Sequence, residues 1–230
     1  MKPLTVLFAD TPADLFSPIA EGKPKCLLPF GNKPLLVHAL EDAALAGIKK
    51  VMIVCGRYRD EVFKVLGDGR RWGVELVEFE ISGADRDFSR LSTLFRPLLL
   101  IQADVARSPA VDALLNLAEE RPEGRLDARM EGQDAGITLF RKASGEASVD
   151  IQGGCDRLED FAGYHGANLD ILSGRFPGLL LEGRSLFEDS VDEMIVARGS
   201  RALPANLTQG RALIGAYSRL ARDARLNGRV

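Results

Sequence analysis

The stretch LLVHALEDAALAGIKKVMIVC, Leu35–Cys55, carries the pattern that decides the fold. Its residues Leu35, Leu36, Ala39, Leu40, Ala43 and Ala44 recur at the three-and-four spacing of one helical face. Gly47 supplies the stop, because glycine enters the left-handed conformation that ends a helix. Val51 to Cys55 (VMIVC) is then an unbroken apolar run, read as a buried strand. The alternation extends both ways. Leu4 to Ala9 (LTVLFA) predicts a buried strand, and Thr11 to Lys25, rich in proline and polar residues, a loop. Arg59 to Leu66 predicts a helix ended near Gly67 and Gly69, Val74 to Phe79 an alternating strand, Leu98 to Gln102 another buried strand, and Val111 to Glu119 a helix. Gly136 to Phe140 and Ser148 to Ile151 read as two further strands, and Ala167 to Ser173 as a short helix. Fully apolar strands that alternate with helices predict an α/β domain with a mainly parallel sheet and helices on both faces.

Past a linker containing Phe176-Pro177-Gly178, the period changes. Val196, Ala202, Thr208, Ile214, Leu220 and Leu226 fall six apart, and so do Ser200, Asn206, Ala212, Ser218 and Ala224. Six fits neither helix nor ordinary strand. It fits a hexapeptide repeat, with the first series pointing inward and the small residues of the second at tight corners. Such units cannot bury their apolar faces alone and need stacked neighbours. The series stops at Gly228-Arg229-Val230 in mid-repeat, so the chain is expected to be shortened at its C-terminus.

Composition narrows the function. Of 230 residues, 46% are hydrophobic and 27% charged, which excludes a disordered chain. The net charge of −3 gives no reason to expect a nucleic-acid partner. From Ala197 onward, however, seven arginines face one acid, Asp223; the alternatives are a solvated face and a surface for an anionic ligand or acidic partner. Cys26, Cys55 and Cys155 lack metal-ligand spacing. Together with the absence of a leader or an apolar run near 18 residues, they lead to the expectation of a cytoplasmic protein.

The run Lys23-Pro24-Lys25-Cys26-Leu27-Leu28-Pro29-Phe30-Gly31-Asn32-Lys33-Pro34-Leu35 strongly resembles the second signature of sugar-1-phosphate nucleotidyltransferases, which include mannose-1-phosphate guanylyltransferases and glucose-1-phosphate thymidylyltransferases. Leu66-Gly67-Asp68-Gly69 with Trp72-Gly73-Val74, then Gln102-Ala103-Asp104, and Tyr164-His165-Gly166-Ala167-Asn168-Leu169-Asp170 follow in the family's order. The resemblance implies a Rossmann-like, GT-A-type sheet over residues 1–174, a linker over 175–194, and an incomplete left-handed β-helix over 195–230. It also implies nucleotide-sugar and polysaccharide biosynthesis, with a nucleoside triphosphate or nucleotide sugar and a sugar phosphate as ligands and Mg2+ as the ion. Such chemistry is mostly positioning plus charge neutralisation. Lys25 matches the signature lysine expected on phosphate, with a solvated loop lysine as the alternative. Asp10, Thr11 and Lys25 fall where the nucleotide binds. Asp104 matches a metal-binding aspartate, and either Asp156 or Asp160 is the expected second metal ligand.

The chain also departs from the family pattern. The phosphate loop G-x-G-T-R is replaced by Thr11-Pro12-Ala13-Asp14-Leu15. Pro12 has no N–H to donate, and Asp10 and Asp14 add negative charge where a triphosphate would lie. The G-T-A loop that holds the base is replaced by Ser82 to Arg90. Two readings therefore stay open: a weakened transferase, or an inactive relative serving as a regulatory or scaffolding subunit. The β-helix leads to an expected homo-oligomer or pairing with a catalytic paralogue. Acyl transfer, common among hexapeptide proteins, needs a histidine base, and His38 and His165 both lie outside the repeats.

Overall fold

The computed structural model describes residues 2–16, 20, 22–79, 92–93, 95–186 and 192–230. The chain opens with β1 (Leu4–Phe8), a hairpin of β2 (Pro29–Phe30) and β3 (Lys33–Pro34), and helix α1 (Leu35–Leu45). β4 (Lys50–Val54), α2 (Arg59–Leu66), β5 (Glu75–Glu78) and β6 (Leu98–Gln102) follow. Next come β7 (Ala106–Arg107), α3 (Val111–Glu119), β8 (Arg125–Met130), β9 (Gln133–Phe140), β10 (Glu146–Asp150), β11 (Cys155–Asp156) and α4 (Phe161–Leu172). The last strands are β12 (Arg184–Ser185), β13 (Glu193–Val196), β14 (Leu207–Ile214) and β15 (Leu226–Arg229).

Seven strands form one sheet in the order β10-β8-β9-β6-β1-β4-β5. β9 alone runs against its neighbours β6 and β8; the other pairings are parallel. The apolar runs predicted as buried strands are the interior ones. Leu7, Val51, Ile53, Leu99 and Ile101 point to one face and Val6, Val54 and Leu98 to the other, the two-residue alternation of a strand. Leu36 and Leu40 of α1, Val62 and Leu66 of α2, and Val111 and Leu114 of α3 all join the first cluster. Among the described residues the helices named above pack on the first face, and none contributes to the cluster on the second. An apolar strand shows that both sides are covered, but not by what.

Local chemistry explains the element ends. After α1, Gly47 takes φ 73°. Its N–H donates to Ala44 O and that of Ile48 to Ala43 O, closing the last turn in a Schellman motif. Two boundaries differ from the sequence reading. β8 was not expected, because its inward residues Leu126, Ala128 and Met130 alternate with Arg125, Asp127 and Arg129, which hide the apolar signal. Helix α4 starts at Phe161 rather than Ala167: Asp160 caps it, and Tyr164 donates to Pro29 O at 2.7 Å. Packing of Ala167 and Ile171 against the cluster of Phe16, Phe30 and Phe176 outweighs the weak propensity of Gly163 and Gly166. Phe176 itself, in the expected linker, is buried edge-on to Phe30, with ring centroids 5.0 Å apart.

α1 is tied to α3 by Asp42, which is 4% exposed. Its carboxylate accepts from Ala110 N and Val111 N at 3.0 Å and faces Arg107 Nη2 at 3.4 Å. Ala110, at the N-cap of α3, has no side chain to cap with, and Asp42 does so from another helix.

In the C-terminal segment β13, β14 and β15 run parallel. Glu193 pairs with Arg211 and Arg211 with Arg229, steps of 18 residues, three times the six-residue interval. Val196, Ala202, Ile214, Leu220 and Leu226 gather with Met194, Leu207 and Ala212 in one cluster. Thr208 is the exception, exposed where an inward residue is expected. The pairing jumps from Leu207↔Leu226 to Gln209↔Asn227, so Thr208 is an extra residue and Leu207 turns inward instead. From the second series, buried Asn206 donates to Ala221 O and Ala224 O at 2.9 Å, and Ser200 Oγ donates to Gly215 O at 2.6 Å. No helix among the described residues is long and apolar enough to cross a membrane.

Replacing Asp42 by alanine leaves Arg107 buried and unpaired, so urea denaturation should show a loss of about 3–5 kcal/mol. His38 gives a pH test. Its Nε2 lies 2.7 Å from Phe30 O, and burial pulls its pKa from 6.5 down to about 4. The fold therefore favours the neutral ring, and that stabilisation is present above pH 6.5 and lost as the pH falls through 4. Between those limits the chain should lose roughly 3 kcal/mol that the His38→Gln variant does not lose.

Candidate functional site

β1 lies between β4 and β6, parallel to both, so the connections diverge at its carboxyl end. In open α/β sheets that divergence leaves a crevice at the strand ends where ligands bind. Here the strand ends carry Asp10 after β1, Gly56 and Arg57 after β4, and Asp104 after β6. The backbone locks these ends together: Ala9 N donates to Val54 O at 2.8 Å and Ala103 N to Phe8 O at 2.9 Å.

The loop after β1 folds back on itself. Lys25 N donates to Thr11 O at 2.7 Å, Ala13 N to Lys23 O at 3.1 Å and Phe16 N to Ala13 O at 2.9 Å, while Pro12 pairs with Pro24. Ala13 and Phe16 are buried, Phe16 edge-on to Tyr164 with centroids 6.1 Å apart. The backbone N–H groups of Ala13, Phe16 and Lys25 are therefore engaged within the protein. Thr11 and Asp14 are exposed, and Asp10 is half-buried.

A short 3-10 turn, Lys25–Leu27, aims Lys25 at Asp104. Lys25 Nζ sits 3.8 Å from Asp104 Oδ2 and donates to Arg157 O at 2.5 Å, with both side chains about 85% covered. Two residues far apart in sequence are thereby brought together. Their gross attraction is about 4 kcal/mol before desolvation. Cys26 lies directly beneath, its Sγ 3.6 Å from Ala9 O. Burial, then the charge of Asp104, pushes its thiol far up. Burial also pushes Cys55 and Cys155 up to about 11. None of the three thiols has the lowered pKa of a nucleophile.

The expected second metal ligands are placed as follows. Asp156 sits on β11, opposite Ala106 of β7 and so close in the fold to Asp104. Its Oδ1 accepts from Leu158 N at 2.8 Å and its Oδ2 lies 3.9 Å from Arg175. Arg175 also holds Glu131 at 2.6 Å and Asp170 at 3.0 Å, and its hydrogen bond to Glu131 keeps its guanidinium charged. Asp160 accepts from Gly163 N at 2.7 Å as the cap of α4. Among the described residues no three His, Cys, Asp or Glu side chains are grouped to hold a metal. One or two carboxylates at the strand ends would suit a divalent ion shared with ligand phosphates rather than an all-protein cage. The base-loop substitution, Ser82 to Arg90, lies outside the described residues.

Sequence reasoning did not single out Arg57. It is exposed at the crevice edge, where its Nη2 donates to Tyr58 Oη at 2.6 Å and its guanidinium lies 4.8 Å from the Tyr58 ring centroid. The signal was an arginine directly after a strand-ending glycine.

The fold defines an α/β protein with an open, mainly parallel sheet. Residues 13–86 match the family model described as nucleotidyl transferase. The low-salt glycan biosynthesis nucleotidyltransferase Agl11 of Haloferax volcanii is 39% identical over 73 residues, which is 31% of this chain and 20% of that protein. A glucose-1-phosphate thymidylyltransferase of Streptomyces griseus is 42% identical over 59 residues, 26% of this chain and 17% of its own. The eIF2B epsilon subunit, a translation initiation factor of Schizosaccharomyces pombe, is 23% identical over 136 residues, 54% of this chain and 20% of its own. The chain thus spans a fifth or less of each of these relatives. A crystal structure assigned as a glucose-1-phosphate thymidylyltransferase of Bacillus anthracis, with sucrose bound, superposes with a TM-score of 0.60 at 15% identity, covering 72% of this chain and 93% of that one. Over residues 13–86 the chain is thus similar to nucleotidyl transferases, among them sugar-phosphate nucleotidyltransferases, and its fold is like that of a solved member.

The two carboxylates differ in what they should do. Asp160→Ala should cost about 1 kcal/mol of stability, as a lost helix cap does, and leave Mg2+ binding unchanged. Asp104→Asn should weaken Mg2+ binding measured by calorimetry in the presence of a nucleoside triphosphate.

Proposed function

We propose that this chain serves nucleotide-sugar biosynthesis as a sugar-1-phosphate nucleotidyltransferase with a weakened transfer site. In that reaction an oxygen of the sugar phosphate attacks the α-phosphorus of a nucleoside triphosphate. The new O–P bond forms as the bond to the β-phosphate oxygen breaks, and pyrophosphate leaves. Mg2+, held through Asp104 with Asp156 nearby, would neutralise phosphate charge. Lys25 would touch phosphate, and Thr11 and Asp10 would border the nucleotide. The observation that carries the weakening is the loop after β1. Its N–H groups at Ala13, Phe16 and Lys25 are engaged internally, and Pro12 has none, so the loop offers little of the N–H cradle that phosphate loops supply.

The second reading, a non-catalytic regulatory or scaffolding subunit, is favoured by the pairing of Lys25 with Asp104 and Arg157 O. A lysine held there already supplies the positive charge that a metal would bring. Similarity to a protein named as a subunit of a translation initiation factor is in keeping with it. On either reading the proposed organisation is the nucleotidyltransferase-like domain over 1–174, a linker over 175–194 and the start of a left-handed β-helix over 195–230. The 18-residue steps of β13, β14 and β15 support the β-helix. Its parallel edge would join a second copy or a catalytic paralogue. Three unpaired, buried cysteines suit a cytoplasmic setting.

Calorimetry with a panel of nucleoside triphosphates and MgCl2, followed by pyrophosphate release on adding sugar 1-phosphates, tests the proposal. Weak binding and slow release are expected. Release near the ordinary enzymatic rate of about 10 per second would remove the weakening, and binding with no release at all would select the subunit reading.

A further inference from the structure

We infer that Arg57 is a further phosphate-contacting cation of this site, beside Lys25, and that the group it takes is a pyrophosphate or the phosphoanhydride of a nucleotide. This rests on the nucleotidyltransferase reading above and names a residue within its site. Arg57 stands at the carboxyl end of β4, next to the carboxyl end of β1, where ligands of such sheets bind.

The turn that presents it needs glycine. Gly56 has φ 48°, and a Cβ there would lie 3.1 Å from the carboxylate of Asp10. The β4 turn thus closes directly onto the segment after β1, and Arg57 is delivered to the crevice rather than to the outer surface of α2.

Its head group is oriented but not used up. The one hydrogen bond it donates among the described residues goes to the Tyr58 hydroxyl at 2.6 Å, and Tyr58 is buried. Stacking on that ring and a single anchoring bond pre-orient a planar group with five N–H donors. Most of those donors stay open toward solvent. The hydrogen bond to Tyr58, with the nearby charges of Asp14 and Asp10, favours its charged form. Yet it forms no ion pair with a described carboxylate.

The neighbouring cations are differently placed. Lys25 is engaged by Asp104 and Arg157 O, Arg59 by Glu78 at 2.7 Å and Asp60 at 3.1 Å, and Arg107 by Asp42 at 3.4 Å. With the loop after β1 turned inward, an anion at the strand ends finds its open, bidentate donor on the β4 side. Arginine suits that task because its fork matches two phosphate oxygens at once.

The test is titration of the full chain with inorganic pyrophosphate in MgCl2, comparing Arg57→Ala, Arg57→Lys and Arg59→Ala. Arg59→Ala removes the same charge two residues away. Arg57→Ala should weaken binding about tenfold or more, as loss of a charge-assisted hydrogen bond does. Arg57→Lys should recover part of that affinity, and Arg59→Ala should bind like the parent. Thermal melting of each variant checks that the exposed substitution leaves the fold intact. Parent-like binding by Arg57→Ala overturns the inference and leaves the nucleotidyltransferase reading standing. Equal weakening by Arg57→Ala and Arg59→Ala also overturns it, reducing the effect to bulk charge. Failure of the unsubstituted chain to bind pyrophosphate or any nucleoside triphosphate overturns both.

Discussion

The crevice depends on the buried carboxylate of Asp42. Taking a carboxylate out of water costs several kcal/mol, and only a well-placed set of donors offsets it. Arg107 and the first N–H groups of α3 supply that set. Three elements are held by one side chain: α1, which carries it, the start of α3, and β7, which carries Arg107. Arg107 Nη1 also donates to Gln102 O at 3.2 Å, bracing the end of β6. Asp104 lies between Gln102 and Arg107, so it sits on a segment clamped at both ends. Preorganisation of this kind is what electrostatic catalysis or tight anion binding requires.

On that rigid frame the charges are nearly balanced, and the balance works against a triphosphate. Asp10, Asp14 and Asp104 bring three negative charges to the strand ends, and Lys25 and Arg57 two positive ones. An ion such as Mg2+ would reverse the sign, but Lys25 already holds Asp104 and Arg175 holds Asp156. Binding of metal and phosphate would have to displace Lys25 from Asp104, which ties the two events together. The same Lys25 could then turn to the phosphate.

The C-terminal segment solves a separate problem. Each of its strands is too short to bury an apolar face alone, and the parallel steps of 18 residues stack Met194, Ala212 and Ile214 into a shared core. Buried polar bonds add to it, of which Asn206 makes two, to Ala221 O and Ala224 O. Arg211 Nη1 donates to Leu172 O at 3.2 Å, so the segment is joined to the end of α4 rather than hanging from a tether.

Much was legible in the sequence because local chemistry decided it. The apolar runs of β1, β4 and β6, the stripes of α1, α2 and α3, the Gly47 stop and the six-residue interval need no knowledge of the rest of the chain. Lys25 and Asp104 lie far apart in sequence, and nothing local shows that they pair. Tertiary structure alone decided the rest. It set which face of the sheet the helices cover, placed Lys25 against Asp104, made Asp160 a cap, and shifted Thr208 outward in favour of Leu207. It also turned Arg57 from an ordinary loop arginine into the open cation of the crevice. The physical reason is common to all of these. Periodicity and turn chemistry act within a few residues, whereas ion pairing, capping between helices and the choice of inward residue are settled by groups distant in sequence that folding brings within a few ångströms.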